Sequence, residues 1–276
     1  MTSIRLIAMD LDGTLLTPPP VHITPVTVSA LQQAADQGIH LVLASGRLPD
    51  DASAFLLDTG LDATIIALNG ACMLDHPFGD ITYTQHFNLS EAEYLYDFLM
   101  ATGLTFAMFC DHDLYIRSRN PEQPEPDMVW GTYLDHFPCR TNIYRFPADS
   151  SKLLQRGVNK FILMQQDGEN RLESIAKQMH RFPFPMEITS SWANNVELNV
   201  AGCNKGAALI RLCSELGISV HDVMAIGDQV NDLSMLQICG IPVAMGNATS
   251  EVTRVAKYIT ASNMYDGVAK AIRAYI

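Results

Sequence analysis

Asp10-Leu11-Asp12-Gly13-Thr14 places two carboxylates in one short loop. Like charges so close repel each other, and a divalent cation held between them removes the repulsion. An Asp-Gly pair is also an ordinary turn, so the reading depends on partners elsewhere in the chain. Gly227-Asp228-Gln229-Val230-Asn231-Asp232 supplies further carboxylates, the hard oxygen ligands that Mg²⁺ prefers; Asp232 equally suits the cap of a following helix. Asn204-Lys205-Gly206 puts a lysine in the first turn of a helix, whose N-terminus already carries about half a positive charge. Such a lysine faces either free solvent or an anion. Ala44-Ser45-Gly46-Arg47 offers a hydroxyl and loop amides that can donate to a phosphoryl oxygen, although a serine there can also cap the next helix. Phosphoryl transfer needs this combination, because it depends on positioning and positive charge more than on covalent ingenuity.

These residues sit at the carboxyl ends of short apolar runs. Residues 4–9, 39–44 and 63–68 read as buried strands. Between them, Thr24-Pro25 opens a helix that Gly38 closes, and a second helix covers residues 49–58. Strand, helix, strand, helix, strand is the pattern of a parallel sheet with crossover helices, where ligands bind beyond the carboxyl ends of the strands. Near residue 80 the rhythm changes. Residues 106–110 and 114–118 flank Asp111-His112-Asp113 as a hairpin, residues 90–102 and 171–181 read as amphipathic helices, and residues 120–127 form a proline-punctuated acidic loop. From about residue 196 the first pattern returns: a helix after Lys205, a strand at 223–226, a helix from Leu233 and a strand at 241–245. The expected fold is therefore α/β, a Rossmann-like parallel-sheet core from residues 1–82 and 196–276 with an α+β domain inserted at 83–195.

Composition narrows the partners. The chain has 276 residues with a formal net charge of −12, which argues against nucleic acid. No apolar run approaches a bilayer span and the first residues do not form a secretory signal, so a cytoplasmic protein without a membrane partner is expected. The six cysteines show no Cys-x-x-Cys pair, which suits reduced thiols.

In this order, the motifs resemble the haloacid-dehalogenase-like hydrolase superfamily, in particular its Cof-type phosphatase branch with an inserted cap domain. The resemblance covers Asp10 to Leu16, Ser45-Gly46-Arg47, Asn69-Gly70-Ala71, Lys205-Gly206, Gly227 to Asp232 and Val243 to Ala248, and it continues through Asn263 to Ala269. It implies that Asp10 is the nucleophile of an aspartyl-phosphate. Asp12 would protonate the leaving oxygen and then deprotonate water. Asp10, Asp228 and the Asp12 carbonyl would hold Mg²⁺. Ser45, Gly46, Lys205 and Asn231 would bind the phosphoryl group, with Asp232 behind the metal ligands. Arg47, Asn69 and Asn247 match the pattern as residues that line the site or shape its loops. One departure is Gln229, where many relatives carry glycine or an acid.

The implied activity is Mg²⁺-dependent hydrolysis of a phosphate monoester of a small metabolite, such as a sugar phosphate, pyridoxal phosphate or flavin mononucleotide. The alternatives are a phosphomutase or a catalytically silent phosphate-binding relative. Neither the physiological substrate nor the oligomeric state, monomer or weak dimer, can be read from these residues.

Overall fold

The computed structural model describes residues 4–19, 21–117, 143–145, 150–165, 169–190 and 194–276. The acidic loop expected at 120–127 lies outside them. Two compact units emerge, one from Met1–Tyr83 with Asn204–Ile276 and the other from Thr84–Cys203.

The first unit opens with strand β1 (Leu6–Met9), all four residues buried. Thr24 caps the helix Pro25–Asp36 by accepting from the Thr27 amide, with proline at its first position. Strand β2 (His40–Ala44), the helix Pro49–Ala54 and β3 (Thr64–Ala67) follow as expected, although the second helix stops four residues early. Two further strands, β4 (Cys72–Leu74) and β5 (Ile81–Thr84), extend the sheet beyond the expected set.

The second unit carries β6 (Thr105–Cys110), β7 (Asp113–Arg117), β8 (Ile143–Arg145), β9 (Lys160–Met164), β10 (Met186–Thr189) and β11 (Asn195–Val200). Their order is β10-β11-β9-β6-β7-β8, antiparallel except for β7 with β8. The expected hairpin is present as β6–β7, its turn made possible by Asp111 at φ 53°. The helix Leu89–Thr102 starts with a reciprocal cap between Asn88 and Glu91. Aromatic pairs such as Phe87–Phe161 and Tyr96–Phe106 tie this part of the chain to the sheet.

The inserted domain does not end at residue 195. β11 is hydrogen-bonded between β9 and β10, so it belongs to the antiparallel sheet and the boundary moves to Cys203. Its alternating Asn-Val-Glu-Leu-Asn-Val pattern is that of a strand with one polar and one apolar face.

After Asn204 the chain adds the helix Lys205–Leu216, β12 (Val223–Gly227), the helix Leu233–Ile238, β13 (Ile241–Ala244), the helix Ser250–Val255, β14 (Tyr258–Ile259) and the helix Gly267–Tyr275. The completed first sheet has the order β14-β13-β12-β1-β2-β3-β4-β5. All pairs from β14 to β3 are parallel, and β4 runs antiparallel to β3. Leu6, Ala8, Val42 and Ala225 pack against Leu209, Leu212, Met235 and Val252 from the C-terminal helices. No described helix is long and apolar enough to cross a membrane.

Close packing explains one motif glycine. A Cβ at Gly206 would run into the Ser234 carbonyl, because the helices Lys205–Leu216 and Leu233–Ile238 meet there backbone to backbone. Gly206→Ala is expected to cost roughly 1–3 kcal/mol, the usual penalty of overpacking. The measurement is a urea midpoint at unchanged slope, and an unchanged midpoint would show that the contact relaxes freely.

Candidate active site

β1 occupies the middle of its sheet, with β12 on one side and β2 on the other. Met9 is in register with both Ile226 and Leu43, and the Asp10 amide donates to the Ile226 carbonyl at 3.0 Å. Three carboxyl strand ends therefore converge, bringing Asp10, Asp228 and Ser45 to one edge. All three are buried.

Beyond Asp10 the chain turns tightly through Leu11–Leu15, with Gly13 at φ 79°. A side chain at Gly13 would strike the Asp228 carboxylate, so only glycine allows the approach. Thr14 Oγ1 donates to Asp228 Oδ1 at 2.9 Å, tying the two acidic loops together. Asn247 Nδ2 donates to the Gly13 carbonyl at 2.8 Å and lies 3.5 Å from Asp228 Oδ2. Asn263 completes the support, donating from its side chain to the Leu16 carbonyl and from its amide to Asn247 Oδ1.

Lys205 resolves the choice between solvent and anion. It is fully buried, and its Nζ donates to Asp10 Oδ1 at 2.5 Å and to Asp232 Oδ1 at 2.6 Å. Asn204 caps its helix by accepting from the Ala207 amide. Asp232 Oδ1 holds the lysine while Oδ2 accepts from the Asp228 and Gln229 amides, which precede it; its side chain makes no capping hydrogen bond to the helix Leu233–Ile238, so the expected cap role is not taken up. Gln229 reaches only the edge of hydrogen-bond range of Asp228, at 3.4 Å.

The charges do not balance. Oxygens of Asp10, Asp228 and Asp232 lie within 4.8 Å of one another, and Lys205 is the cation bonded among them. Burial, then the neighbouring Asp232, holds the Asp10 carboxyl well above its usual range. The same two causes push Asp228 up to about 7. Burial opposes the charge on Lys205, but Asp10 and Asp232 outweigh it and raise its pKa. An all-oxygen set with surplus negative charge fits a hard divalent cation such as Mg²⁺. Both Asp232 oxygens accept bonds of 2.6–3.0 Å, whereas Lys205 holds one oxygen of Asp10 and the donors near Asp228 Oδ2 come no closer than 3.4 Å, so Asp10 and Asp228 are the carboxylates suited to hold it.

Ser45 follows β2, and its Oγ accepts from the Arg47 amide at 3.2 Å. This bond closes a local turn and does not cap the next helix, Pro49–Ala54, whose N-cap is Leu48; the hydroxyl's own proton is left to donate. Arg47 departs from a mere lining role. Its Nε and Nη2 each donate at 2.7 Å to the two oxygens of Asp12, while Nη1 donates to Asp51 at 2.7 Å. The guanidinium also sits 5.1 Å from the centre of the Phe55 ring. The Asp12 side chain is about half exposed, at 46%, whereas Arg47 is buried. Asn69 follows β3, and Asn231 Nδ2 donates to its Oδ1 at 3.2 Å.

Every residue expected at the site thus lies in the first unit and near the end of β1, β2, β3, β12 or β13, or at the start of the helix Lys205–Leu216. Thr14 and Asp51 are additions that sequence reasoning did not assign. Asp51 lies four residues after Arg47, the one local signal that could have found it.

Comparison with known proteins agrees with this architecture. A family model described as haloacid dehalogenase-like hydrolase matches residues 7–272. The 5-amino-6-(5-phospho-D-ribitylamino)uracil phosphatase of Bacillus subtilis is 32% identical, over 99% of this chain and 96% of its own. The pyridoxal phosphate phosphatase of Escherichia coli is 28% identical, over 99% and 98%. Among solved structures, a haloacid dehalogenase-like hydrolase from B. subtilis superposes with a TM-score of 0.85 at 24% identity, covering 99% of this chain and all of the other.

Proposed function

Because this chain belongs to the haloacid dehalogenase-like hydrolases, we propose that it is a Mg²⁺-dependent phosphatase acting on a phosphate monoester of a small metabolite through an aspartyl-phosphate at Asp10. The observation that carries the reading is the buried Lys205 Nζ bonded to both Asp10 and Asp232, beside an Asp228 that Thr14 ties to the Asp10 loop.

Asp10, Asp228 and the Asp12 main-chain carbonyl would hold Mg²⁺. When bound, the cation neutralises the repulsion between an anionic nucleophile and an anionic ester. Ser45, the Gly46 amide, Lys205 and Asn231 bind the phosphoryl oxygens. A carboxylate oxygen of Asp10 attacks phosphorus, the ester P–O bond breaks, and the leaving oxygen takes a proton from Asp12. Water then attacks the phosphorus of the aspartyl-phosphate and gives its proton to Asp12. The bond to Asp10 breaks and inorganic phosphate leaves. Both Asp12 oxygens accept from Arg47 in the structure, which suits the second step; in the first step a proton must replace one of these bonds. The second unit, Thr84–Cys203, is proposed as the cap domain that selects the leaving group.

The relatives act on 5-amino-6-(5-phospho-D-ribitylamino)uracil and on pyridoxal phosphate, going by their names. Phosphate esters of cofactors and their precursors are therefore the first panel to assay. Purified protein is expected to hydrolyse p-nitrophenyl phosphate with Mg²⁺ and to stop when the metal is chelated. No turnover at any Mg²⁺ concentration would leave a binding protein instead. Oxygen-labelled water separates hydrolysis from transfer, since only hydrolysis puts the label in phosphate. Asp12→Ala is expected to cost about 10²-fold or more with a poor leaving group, the scale of a lost general acid. A loss below tenfold would take the proton-transfer role from Asp12.

A further inference from the structure

The structure assigns Asn69 as a positioning residue for the phosphoryl group: it accepts one N–H of the Asn231 amide and so holds the other N–H for a phosphoryl oxygen. This inference rests on the proposed phosphatase site, and it adds a residue that acts through Asn231 rather than touching substrate.

Three observations support it. Leu68, Asn69 and Gly70 have φ of 52°, 55° and 98°, three consecutive residues in the left-handed region. A leucine there is uncommon, and such backbone persists only where the surroundings over-determine it. All three residues are buried.

The surroundings that determine this turn are parts of the site. The Leu68 amide donates to the Arg47 carbonyl and the Asn69 amide to the Ser45 carbonyl, both at 3.0 Å. The main chain that carries the Ser45 hydroxyl and the Arg47 fork is thus braced from behind. A Cβ at Gly70 would meet the Asn204 carbonyl, so the same turn rests on the residue that caps the Lys205 helix.

The third observation is the amide itself. Asn231 Nδ2 spends one hydrogen on Asn69 Oδ1 at 3.2 Å, while Asn231 Oδ1 is buried with no hydrogen-bond partner. An asparagine presents a donor and an acceptor at nearly equivalent ends. Without Asn69 nothing in this pair decides which end faces an incoming anion, and the acceptor end would repel it. The left-handed backbone places Asn69 against Asn231, and the Oδ1 that Asn69 presents there selects the donor orientation.

The test is a double-mutant cycle with Asn69→Gly and Asn231→Ala, read as competitive inhibition by inorganic phosphate during p-nitrophenyl phosphate hydrolysis. Glycine adopts φ of 55° without strain, so Asn69→Gly removes the acceptor and keeps the turn. Each single variant is expected to raise the phosphate inhibition constant by about 5- to 10-fold, and the double variant no further than the worse single one. The thermal midpoint of Asn69→Gly should stay near that of the wild type. Losses that multiply in the double variant would overturn the assignment, because the residues would then act independently. A lowered thermal midpoint with unchanged phosphate inhibition would also overturn it, leaving Asn69 a structural residue. If Asn231→Ala leaves phosphate inhibition unchanged in an active enzyme, Asn231 is no phosphate ligand. That result would remove the site assignment and the inference together, and wild-type turnover tells the two failures apart.

Discussion

Asp10→Asn is expected to lower hydrolysis of p-nitrophenyl phosphate by at least about 10⁴-fold, the scale on which removal of a covalent nucleophile is felt. The fold should survive. Asparagine has nearly the same shape, its carbonyl oxygen can still accept from Lys205, and the lysine keeps its bond to Asp232. One of the crowded carboxylate charges is lost, which relieves repulsion among Asp10, Asp228 and Asp232. The thermal midpoint should therefore hold or rise slightly while turnover disappears. Residual activity of more than about 1% would mean that water attacks phosphorus directly and Asp10 is only a ligand.

Lys205→Met should damage both stability and activity. The lysine is fully buried, and its removal leaves acidic oxygens within 4.8 Å of one another without that counter-charge. Breaking a buried pair by removing one partner costs roughly 3–5 kcal/mol. A urea titration of the metal-free protein should show a midpoint shift of that size. Millimolar Mg²⁺ should recover part of it, because a cation that binds only the folded state stabilises that state by mass action. Turnover should fall by about 10²- to 10³-fold even with Mg²⁺ present, as when a fixed donor to developing charge is lost. A variant as stable as the wild type without metal would show that the acidic cluster tolerates its own repulsion, and the charge argument for the site would fail.

Much of this was legible in the chain because parallel strands are short apolar runs that end abruptly. Asp10, Ser45 and Asp228 each follow such a run, and the strand-end rule places them at one edge. What the residues could not reveal is which strands are neighbours. The order β12-β1-β2 is a matter of pairing between segments more than 200 residues apart, and it alone brings Asp228 to Asp10. The misplaced boundary at residue 195 has the same origin. β11 is the last strand of the inserted domain, but only its pairing with β9 and β10 shows this, and no local pattern names a strand's partners.

The Arg47 fork was hidden for a related reason. Its main target, Asp12, is 35 residues away, so nothing near Arg47 except Asp51 hinted that the side chain is held in place. Asn69-Gly70 was visible as a turn signal, since both residues tolerate positive φ. That Leu68 shares the conformation has no sequence signature, because leucine is not selected for it. Strain of this kind shows only in the folded backbone.

The central place of β1 also bears on how the protein is made. A chain emerging from the ribosome exposes β1 and β2 early, but β12, which covers the other side of β1, arrives only after the whole of Thr84–Cys203 has been synthesised. Until then β1 presents an open hydrogen-bonding edge of apolar residues, the feature that invites association between nascent chains. The antiparallel unit, contiguous in sequence, can finish folding in that interval. The acidic cluster cannot form before Lys205 and Asp228 are released, so this edge assembles late in synthesis rather than early.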